Sequence, residues 1–221
     1  MTQTKEAAIR NIRTNVLETA LKMVKAGLVV AKEGNVSARV PGEDKIAITP
    51  SRFPYELMTA NDILIVGFDE KIILGKRKPS TETKMHIAVF KARSDAGAVL
   101  HTHSPYASAL SCVSGSKIPP LMDEQTVYLG GEVGMTQYAV AGSAEIAANA
   151  AAALLERDGT LLSNHGTICC GKTLDEALRN AILVEKLAQV YFLASSIGEV
   201  TSVPADIIEQ QKLRYLSARQ V

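Results

Sequence analysis

The chain has 221 residues, of which 47% are hydrophobic and 21% are charged, and its formal net charge is +1. This composition is typical of a globular protein with a sizeable core, and the near-neutral charge argues against nucleic acid as the main partner. No apolar stretch approaches the length of a membrane span, the first residues lack the pattern of a signal peptide, and the three cysteines indicate a reducing, cytoplasmic compartment.

The first predicted element is an amphipathic helix. Apolar residues recur at steps of three and four from Ile9 to Val24, and Gly27 ends the helix. Alternating or apolar runs then predict short strands near 36–40, 45–49, 63–68 and 71–74, of which the first two form a hairpin. A helix over about 81–93 and a buried strand over 96–103 follow.

The second half begins with a helix start at Ser104 and Pro105, where Ser104 is suited to be the cap. Residues 118–138 show no clear pattern. The later elements are an Ala-rich helix over 142–157, a strand pair within 160–170 that turns at Asn164–Gly166, a long helix from Thr173 to about Ile197, and a last helix from Pro204 to near Arg219. Strands and helices alternate without a linker or repeat, so we predict one α/β domain over residues 1–221 with a largely antiparallel sheet.

Two histidines end the predicted buried strand. His101 and His103 are two residues apart, so their side chains would project from the same face of the strand, and neutral imidazole commonly binds zinc and its neighbours. Catalytic zinc usually has three protein ligands and an open position. His165, at a turn after an apolar strand, and His86, which shares a helix face with Glu82, are both candidates for the third. Spacing alone does not choose between them, and two ordinary histidines at a strand end are the simpler interpretation.

Glu82 is the best candidate for acid–base chemistry. It lies in the first turn of its predicted helix, where a negative charge is stabilising even without a catalytic role. Ser80 and Thr81 precede it, and the amide groups of a helix start bind phosphate well. The turns Gly34–Asn35 and Thr49–Ser51 are candidates for the same anion site, although such turn sequences are common.

The chain contains five motifs, in this order: Gly34–Arg39, Ile48–Ser51, Lys78–Glu82, His101–Pro105 and Leu162–Gly166. Together they resemble those of the class II aldolase/adducin family, the group that includes L-fuculose-1-phosphate aldolase and L-ribulose-5-phosphate 4-epimerase. The resemblance extends from the first helix to near the C-terminus. It implies a three-layer α/β/α sandwich with a largely antiparallel central sheet, and a homotetramer with active sites at subunit interfaces.

The resemblance also implies roles for individual residues. His101, His103 and His165 match three zinc ligands, and Glu82 matches a catalytic acid–base residue that also contacts the metal when substrate is absent. Tyr215 matches a tyrosine that reaches a neighbouring subunit's site as a proton donor. The residues that match the substrate phosphate pocket are Gly34, Asn35, Ser51, Ser80 and Thr81.

Two departures from the pattern concern the substrate. Fuculose-phosphate aldolases have glycine in place of Arg52, and tyrosine near Asp123. Arg52 suits a phosphate or a substrate carboxylate, and is otherwise a surface residue. Asp123 or Glu124 is an extra proton-transfer group or a solvated acid. These departures argue against L-fuculose 1-phosphate itself as the substrate.

The implied activity is metal-dependent cleavage of a phosphorylated ketose, such as L-fuculose 1-phosphate or a related sugar phosphate, to dihydroxyacetone phosphate and an aldehyde through an enediolate. Zn²⁺ is the expected ion, with Mn²⁺ or Co²⁺ as substitutes. The same chemistry would serve a 4-epimerase, or a decarboxylase or dehydratase of a phosphorylated sugar or sugar acid. An adducin-like binding module is the non-enzymatic alternative, and such a module is expected to lack the complete set of metal-binding histidines. The expected partner is a small phosphorylated sugar, with no nucleic acid or membrane involved.

Overall fold

A seven-stranded sheet runs through the middle of the structure, a computed structural model that describes residues 3–220. The strand order is β4-β3-β2-β1-β5-β7-β6, and every pair of neighbouring strands is antiparallel. Residues 1, 2 and 221 of the predicted domain lie outside the described residues. The strands are β1 (Asn35–Arg39), β2 (Lys45–Ile48), β3 (Leu64–Gly67), β4 (Ile72–Leu74), β5 (Ala98–Thr102), β6 (Gly159–Leu162) and β7 (Gly166–Gly171).

Helices cover both faces of this sheet. Because successive strand residues point to opposite faces, Leu100 packs in one core with the first and sixth helices, whereas Val99 packs in a second core with the second and fifth. The structure thus confirms the predicted α/β class, the antiparallel sheet and the three layers. The helices are α1 (Gln3–Lys25), α2 (Thr83–Ala92), α3 (Pro105–Ser111), α4 (Asp123–Leu129), α5 (Ala144–Ala153), α6 (Leu174–Ile197) and α7 (Ala205–Gln220), with short 3-10 helices at Tyr55–Leu57 and Ala60–Asp62.

Most predicted elements are present, with their ends moved by a few residues, as is usual for element boundaries. The helix predicted from about residue 81 begins at Thr83, so Glu82 directly precedes the helix instead of lying in its first turn. Residues 118–138, which had no clear pattern, contain α4. Within the described part of the chain, no helix combines the length and the apolar character needed to cross a bilayer.

The helix start predicted at Ser104 and Pro105 is confirmed, but Ser104 does not cap the helix through its side chain. Ser104 directly precedes α3, but its hydroxyl makes no cap hydrogen bond. The backbone N–H groups of Tyr106 and Ala107 donate instead to the Glu185 carboxylate of α6, at 3.0 and 2.9 Å. A charged acceptor from a neighbouring helix satisfies these free amide groups better than the serine hydroxyl, and local sequence does not reveal it.

Candidate metal centre

Three histidines meet where β5 ends and β7 begins. His101 is the fourth residue of β5 and pairs with Asn35 of β1 on one side and Ile168 of β7 on the other. His103 directly follows β5. His165 lies in the tight turn between β6 and β7, which closes with a hydrogen bond from its backbone N–H to the carbonyl of Leu162 at 3.0 Å.

The three imidazole rings face one another closely. The ring centroids of His101 lie 4.7 Å from those of His103 and His165, and the latter two are 5.0 Å apart. One ring nitrogen from each residue lies within 4.8 Å of the other two. His101 is fully buried and the other two are partly buried. Residues far apart in sequence thus form one group suited to a single cation.

The proton positions of His101 fit a cation at this point. Its Nδ1 atom lies 2.8 Å from the carbonyl oxygen of Thr167. Because a carbonyl can only accept, Nδ1 carries a hydrogen, and Nε2 is the ring nitrogen that faces the other two rings. A histidine that binds a metal through one ring nitrogen usually donates a hydrogen bond from the other, as Nδ1 of His101 does here. In addition, Oε1 of Glu82 is buried beside the rings without a hydrogen-bond partner among the described residues.

Glu82 lies against the imidazole group. Its two carboxylate oxygens are 3.1 Å from Nε2 of His101 and 3.3 Å from Nε2 of His165, and the Asn35 side-chain amide donates to Oε2 at 2.9 Å. Burial alone would raise the pKa of Glu82, but the attraction and hydrogen bond of His101, the attraction of His165 and the hydrogen bond from Asn35 together hold the pKa well below its usual range. The group is therefore an ionised carboxylate beside the imidazole rings.

The histidines respond differently to the same surroundings. Burial lowers the pKa of His103 to about 4, and it lowers the pKa of His165 as well. Burial has the same tendency at His101, but the neighbouring Glu82 charge outweighs it and raises the pKa. Near neutral pH, His103 and His165 are consequently uncharged, which is the form that binds a metal ion.

The residues predicted to bind phosphate lie in segments next to Glu82. The loop that contains Ser51 pairs with the loop before α2, because the Ser51 N–H donates to the carbonyl of Lys78 at 2.9 Å. The Ser80 hydroxyl accepts a hydrogen bond from the backbone N–H of Glu82 at 3.2 Å. Thr81 is exposed. These contacts place the two predicted phosphate-binding segments beside each other and next to Glu82.

Gly34 is required by the close approach of its loop to β5. Its φ is +69°, and a Cβ atom at this position would lie 2.6 Å from the carbonyl oxygen of His101. Tyr55 fixes the same loop by donating its hydroxyl hydrogen to the Gly34 carbonyl at 2.9 Å. Gly34 thus lets Asn35 lie beside His101 and reach Glu82.

His86 is not part of the histidine group. It is fully buried, and its Nδ1 is 2.6 Å from the Ser37 hydroxyl. Burial lowers its pKa to about 3, so the ring is neutral. The structure therefore favours His165 over His86 as the third ligand.

Two further residues of the site, Ser37 and Thr167, were not predicted from the sequence. A backbone carbonyl such as that of Thr167 has no sequence signal, but Ser37 follows Asn35 by two residues and so shares its face.

Tyr215 lies at the other end of the sheet within one chain. It is 4% exposed and packs so closely on Gly130 that a Cβ there would be 2.6 Å from its ring. The cavity that it lines also contains Asp158 and Lys172, near the end of β7 remote from the histidines. One subunit alone therefore does not bring Tyr215 to the metal centre.

The remaining candidates occupy separate positions. Asp123 accepts a hydrogen bond from the Gln211 amide at 2.7 Å, and Glu124 pairs with Lys186 at 2.9 Å. Arg52 is exposed and has a left-handed backbone with φ of 54°. Among residues 3–220, its side chain forms no hydrogen bond or ion pair. Only Arg52 of these three is next to a predicted phosphate-binding residue.

The sheet, the three histidines and the adjacent carboxylate agree with the result of comparison with known families. Residues 14–192 match the family described as class II aldolase and adducin N-terminal domain, and the chain belongs to this family. The predicted family is thereby confirmed. Its relatives and structural neighbours identify the chain as a class II aldolase, a carbon–carbon lyase.

Three individual proteins show how close the similarity is. The 5-methylthioribulose-1-phosphate/5-deoxyribulose-1-phosphate aldolase of Rhodospirillum rubrum is 35% identical over 90% of this chain and 88% of its own length. The L-fuculose phosphate aldolase of Escherichia coli is 36% identical over 86% of this chain and 87% of its own. A solved structure of an L-fuculose 1-phosphate aldolase has a TM-score of 0.88 at 29% identity, and covers 93% of this chain and 96% of that one.

Proposed function

We propose that this chain is a zinc-dependent aldolase that cleaves a ketose 1-phosphate to dihydroxyacetone phosphate and an aldehyde. The observation that carries the proposal is the convergence of His101, His103 and His165 on one point, with the Glu82 carboxylate beside them. A divalent ion held there would supply a Lewis acid for the negative charge that develops when the bond between the third and fourth carbons of the substrate breaks.

The two oxygens of Glu82 are suited to different tasks. Oε2 is held by the Asn35 amide, whereas Oε1 is buried without a hydrogen-bond partner in the described residues. Oε1 is therefore the oxygen that would give a proton to the carbon next to the carbonyl in cleavage and take it back in condensation, and Asn35 holds the carboxylate in the orientation needed. The Thr167 carbonyl fixes the ring of His101 in the same way.

The phosphate end of the substrate is proposed to bind at the segments that contain Gly34, Ser51, Ser80 and Thr81. The names of the relatives described above specify three ketose 1-phosphates: 5-methylthioribulose, 5-deoxyribulose and L-fuculose 1-phosphate. In each, cleavage between the third and fourth carbons leaves the phosphate on a three-carbon fragment. They differ at the aldehyde end, so one phosphate pocket would serve all three.

A substrate panel tests this proposal. The metal-loaded protein would be incubated with each of the three ketose 1-phosphates, with L-ribulose 5-phosphate and with a phosphorylated sugar acid. We expect dihydroxyacetone phosphate, measured by its coupled reduction, from at least one ketose 1-phosphate, and no product after chelation. Epimer or carbon dioxide without dihydroxyacetone phosphate would instead assign the epimerase or decarboxylase branch. Absence of both bound metal and product would support a binding module.

The proposal includes a homotetramer in the cytoplasm, with active sites at subunit interfaces. Within one subunit, Tyr215 is remote from the histidines. Its proposed role is to donate a proton to the aldehyde oxygen in condensation and to accept that proton in cleavage. This role requires a second copy of the chain, and the mass of the assembly in solution is the first measurement to make.

Replacing Arg52 with glycine is expected to have opposite effects on stability and on substrate binding. The left-handed backbone at Arg52 (φ 54°) costs roughly 1–2 kcal/mol for a side chain, of which the flexibility of glycine offsets about 0.5–1 kcal/mol. Tm should rise by about 1–4 °C. If Arg52 binds the substrate phosphate, losing that charged hydrogen bond, worth about 1.5–3 kcal/mol, raises KM roughly 10- to 100-fold.

Glu70→Gly is the matched control for Arg52→Gly. Glu70 also has a positive φ, 66°, and lies in the exposed turn between β3 and β4. This variant should gain stability in the same way but keep the wild-type KM. An unchanged KM in Arg52→Gly would make Arg52 a surface residue without a role in substrate binding.

A further inference from the structure

A row of polar contacts, fully buried at two of its three positions, joins β1 to α2 and to the residue before it. Alternate residues of β1 share the face toward α2, and they bond to residues four positions apart, one helical turn: Glu82 before the helix, and His86 and Phe90 within it. These contacts are Asn35 with Glu82 at 2.9 Å, Ser37 with His86 at 2.6 Å, and the Arg39 guanidinium with the carbonyl of Phe90. We refer to these three contacts as the β1–α2 ladder.

The middle contact of this ladder, between Ser37 and His86, places a polar ring among buried apolar side chains. His86 is completely buried, its neighbours on α2 include the buried side chains of Met85, Ile87 and Phe90, and its Nε2 atom has no partner among the described residues. A polar atom buried without a partner is destabilising, and an apolar side chain would avoid this cost. Exceptions to the rule that buried polar atoms are hydrogen-bonded tend to occur near functional sites.

The neighbours of His86 indicate what this contact does. Its backbone N–H donates to the carbonyl of Glu82 at 3.3 Å, so the two residues form the first turn of the helix. Ser37 lies two residues after Asn35 on β1, and Asn35 pairs directly with His101 of β5. The Ser37–His86 hydrogen bond therefore fixes the position of α2 along β1, and β1 is paired with the strand that carries His101.

Glu82 needs such a constraint because it precedes the helix. Its side chain makes no cap hydrogen bond with α2, and its position relative to His101 and His165 depends on where the helix begins. A small shift of reacting groups can cost a large factor in rate. We propose that His86 is a positioning residue which, through Ser37, holds the Glu82 carboxylate in place beside the metal-binding histidines.

This inference rests on the role proposed for Glu82, and four variants test it. Ser37→Ala and the double variant Ser37→Ala/His86→Leu remove the contact, and the double variant leaves no unpaired partner, so it is expected to keep its Tm. His86→Asn retains an amide that can reach the Ser37 hydroxyl. Lys91→Ala, at the exposed far end of α2, is the control.

We expect kcat of the double variant to fall about 10- to 100-fold, as for the loss of other outer contacts of a metal site. KM should stay near the wild-type value because the variants leave intact the backbone hydrogen bonds from Ser80 to Thr49 and from Ser51 to Lys78 that hold the phosphate segments. His86→Asn should recover much of kcat. A double variant that is folded and metal-loaded, and that has wild-type kcat, would overturn the proposal. A loss of kcat that is fully explained by a smaller fraction of folded protein would also overturn it.

The visible absorption of the cobalt-substituted protein provides a readout that needs no turnover. If Glu82 moves, the spectra of Ser37→Ala and the double variant should shift toward that of Glu82→Gln, while His86→Asn and Lys91→Ala keep the wild-type spectrum. Unchanged spectra in the first two would overturn the positioning role. If the wild type cleaves no sugar phosphate, the proposed function fails, and these spectra still decide whether His86 positions Glu82.

Discussion

Glu82→Gln is expected to lower kcat by about 10²- to 10⁴-fold, the usual contribution of a general acid–base group, while the protein keeps its metal. Glutamine has the same shape and still accepts the hydrogen bond from Asn35, which is 2.9 Å from Oε2 in the wild type. Its amide, however, cannot take up a proton at neutral pH. Turnover in the substrate panel and metal content by elemental analysis are the two measurements.

Glu33→Gln is the matched control for this substitution. Glu33 is an exposed carboxylate near the same site, with an oxygen 4.0 Å from Nδ1 of His103. It lacks the contacts with His101, His165 and Asn35 that distinguish Glu82. Its replacement should leave kcat within a small factor of the wild type. Near-normal turnover in Glu82→Gln, or an equal loss in both variants, would remove Glu82 from the proposed role.

Much of the fold was predictable because its signals are local. The hairpin of β1 and β2, the buried strand before His101 and the capping threonine of α6 all depend on alternation, apolar runs or cap residues a few positions apart. The Thr173 hydroxyl does accept from the N–H of Glu176, at 3.1 Å. Local patterns of this kind survive folding because tertiary contacts reinforce them.

Other features depend on contacts that local sequence does not encode. α4 has only seven residues, and Gln125 stabilises it by donating to the carbonyls of Ile118 and Gly131 outside the helix. The Glu185 cap of α3 comes from a residue 79 positions from Tyr106. Short helices of this type owe their stability to tertiary contacts and have little intrinsic signal.

Part of the candidate site was likewise predictable from local sequence, and part depended on distant contacts. The strand alternation placed His101 and His103 together, but neither spacing nor periodicity distinguished His86 from His165. The choice depends on which of the two imidazole rings lies beside His101 and His103 at the end of β5. Only the family resemblance or the folded chain reveals this. The β1–α2 ladder likewise joins residues 47–51 positions apart. Its polar alternation was visible in the sequence of β1, but its partners were not.

His101→Ala is expected to abolish stable metal binding. Removing one of three ligands should weaken affinity by more than the roughly 10- to 100-fold that follows loss of an outer contact, so the ion is lost on dialysis. His101 is fully buried beside an ionised carboxylate, and its removal also costs stability, since it leaves the Glu82 charge without its nearest imidazole partner. His165→Ala, in a partly exposed turn, removes a ligand at a smaller cost to folding.

Thermal unfolding separates loss of the ion from loss of the fold. An ion that binds only the native state at 100 times its Kd adds about 2.7 kcal/mol, so chelation should lower the Tm of the wild type by about 5–11 °C. His165→Ala should show no such response, because it holds no ion to remove. Cys112→Ala, which replaces an exposed thiol, should respond like the wild type. If chelation left the Tm of the wild type unchanged, or if Cys112→Ala lost its metal while His165→Ala retained it, the histidine group would not be the metal site.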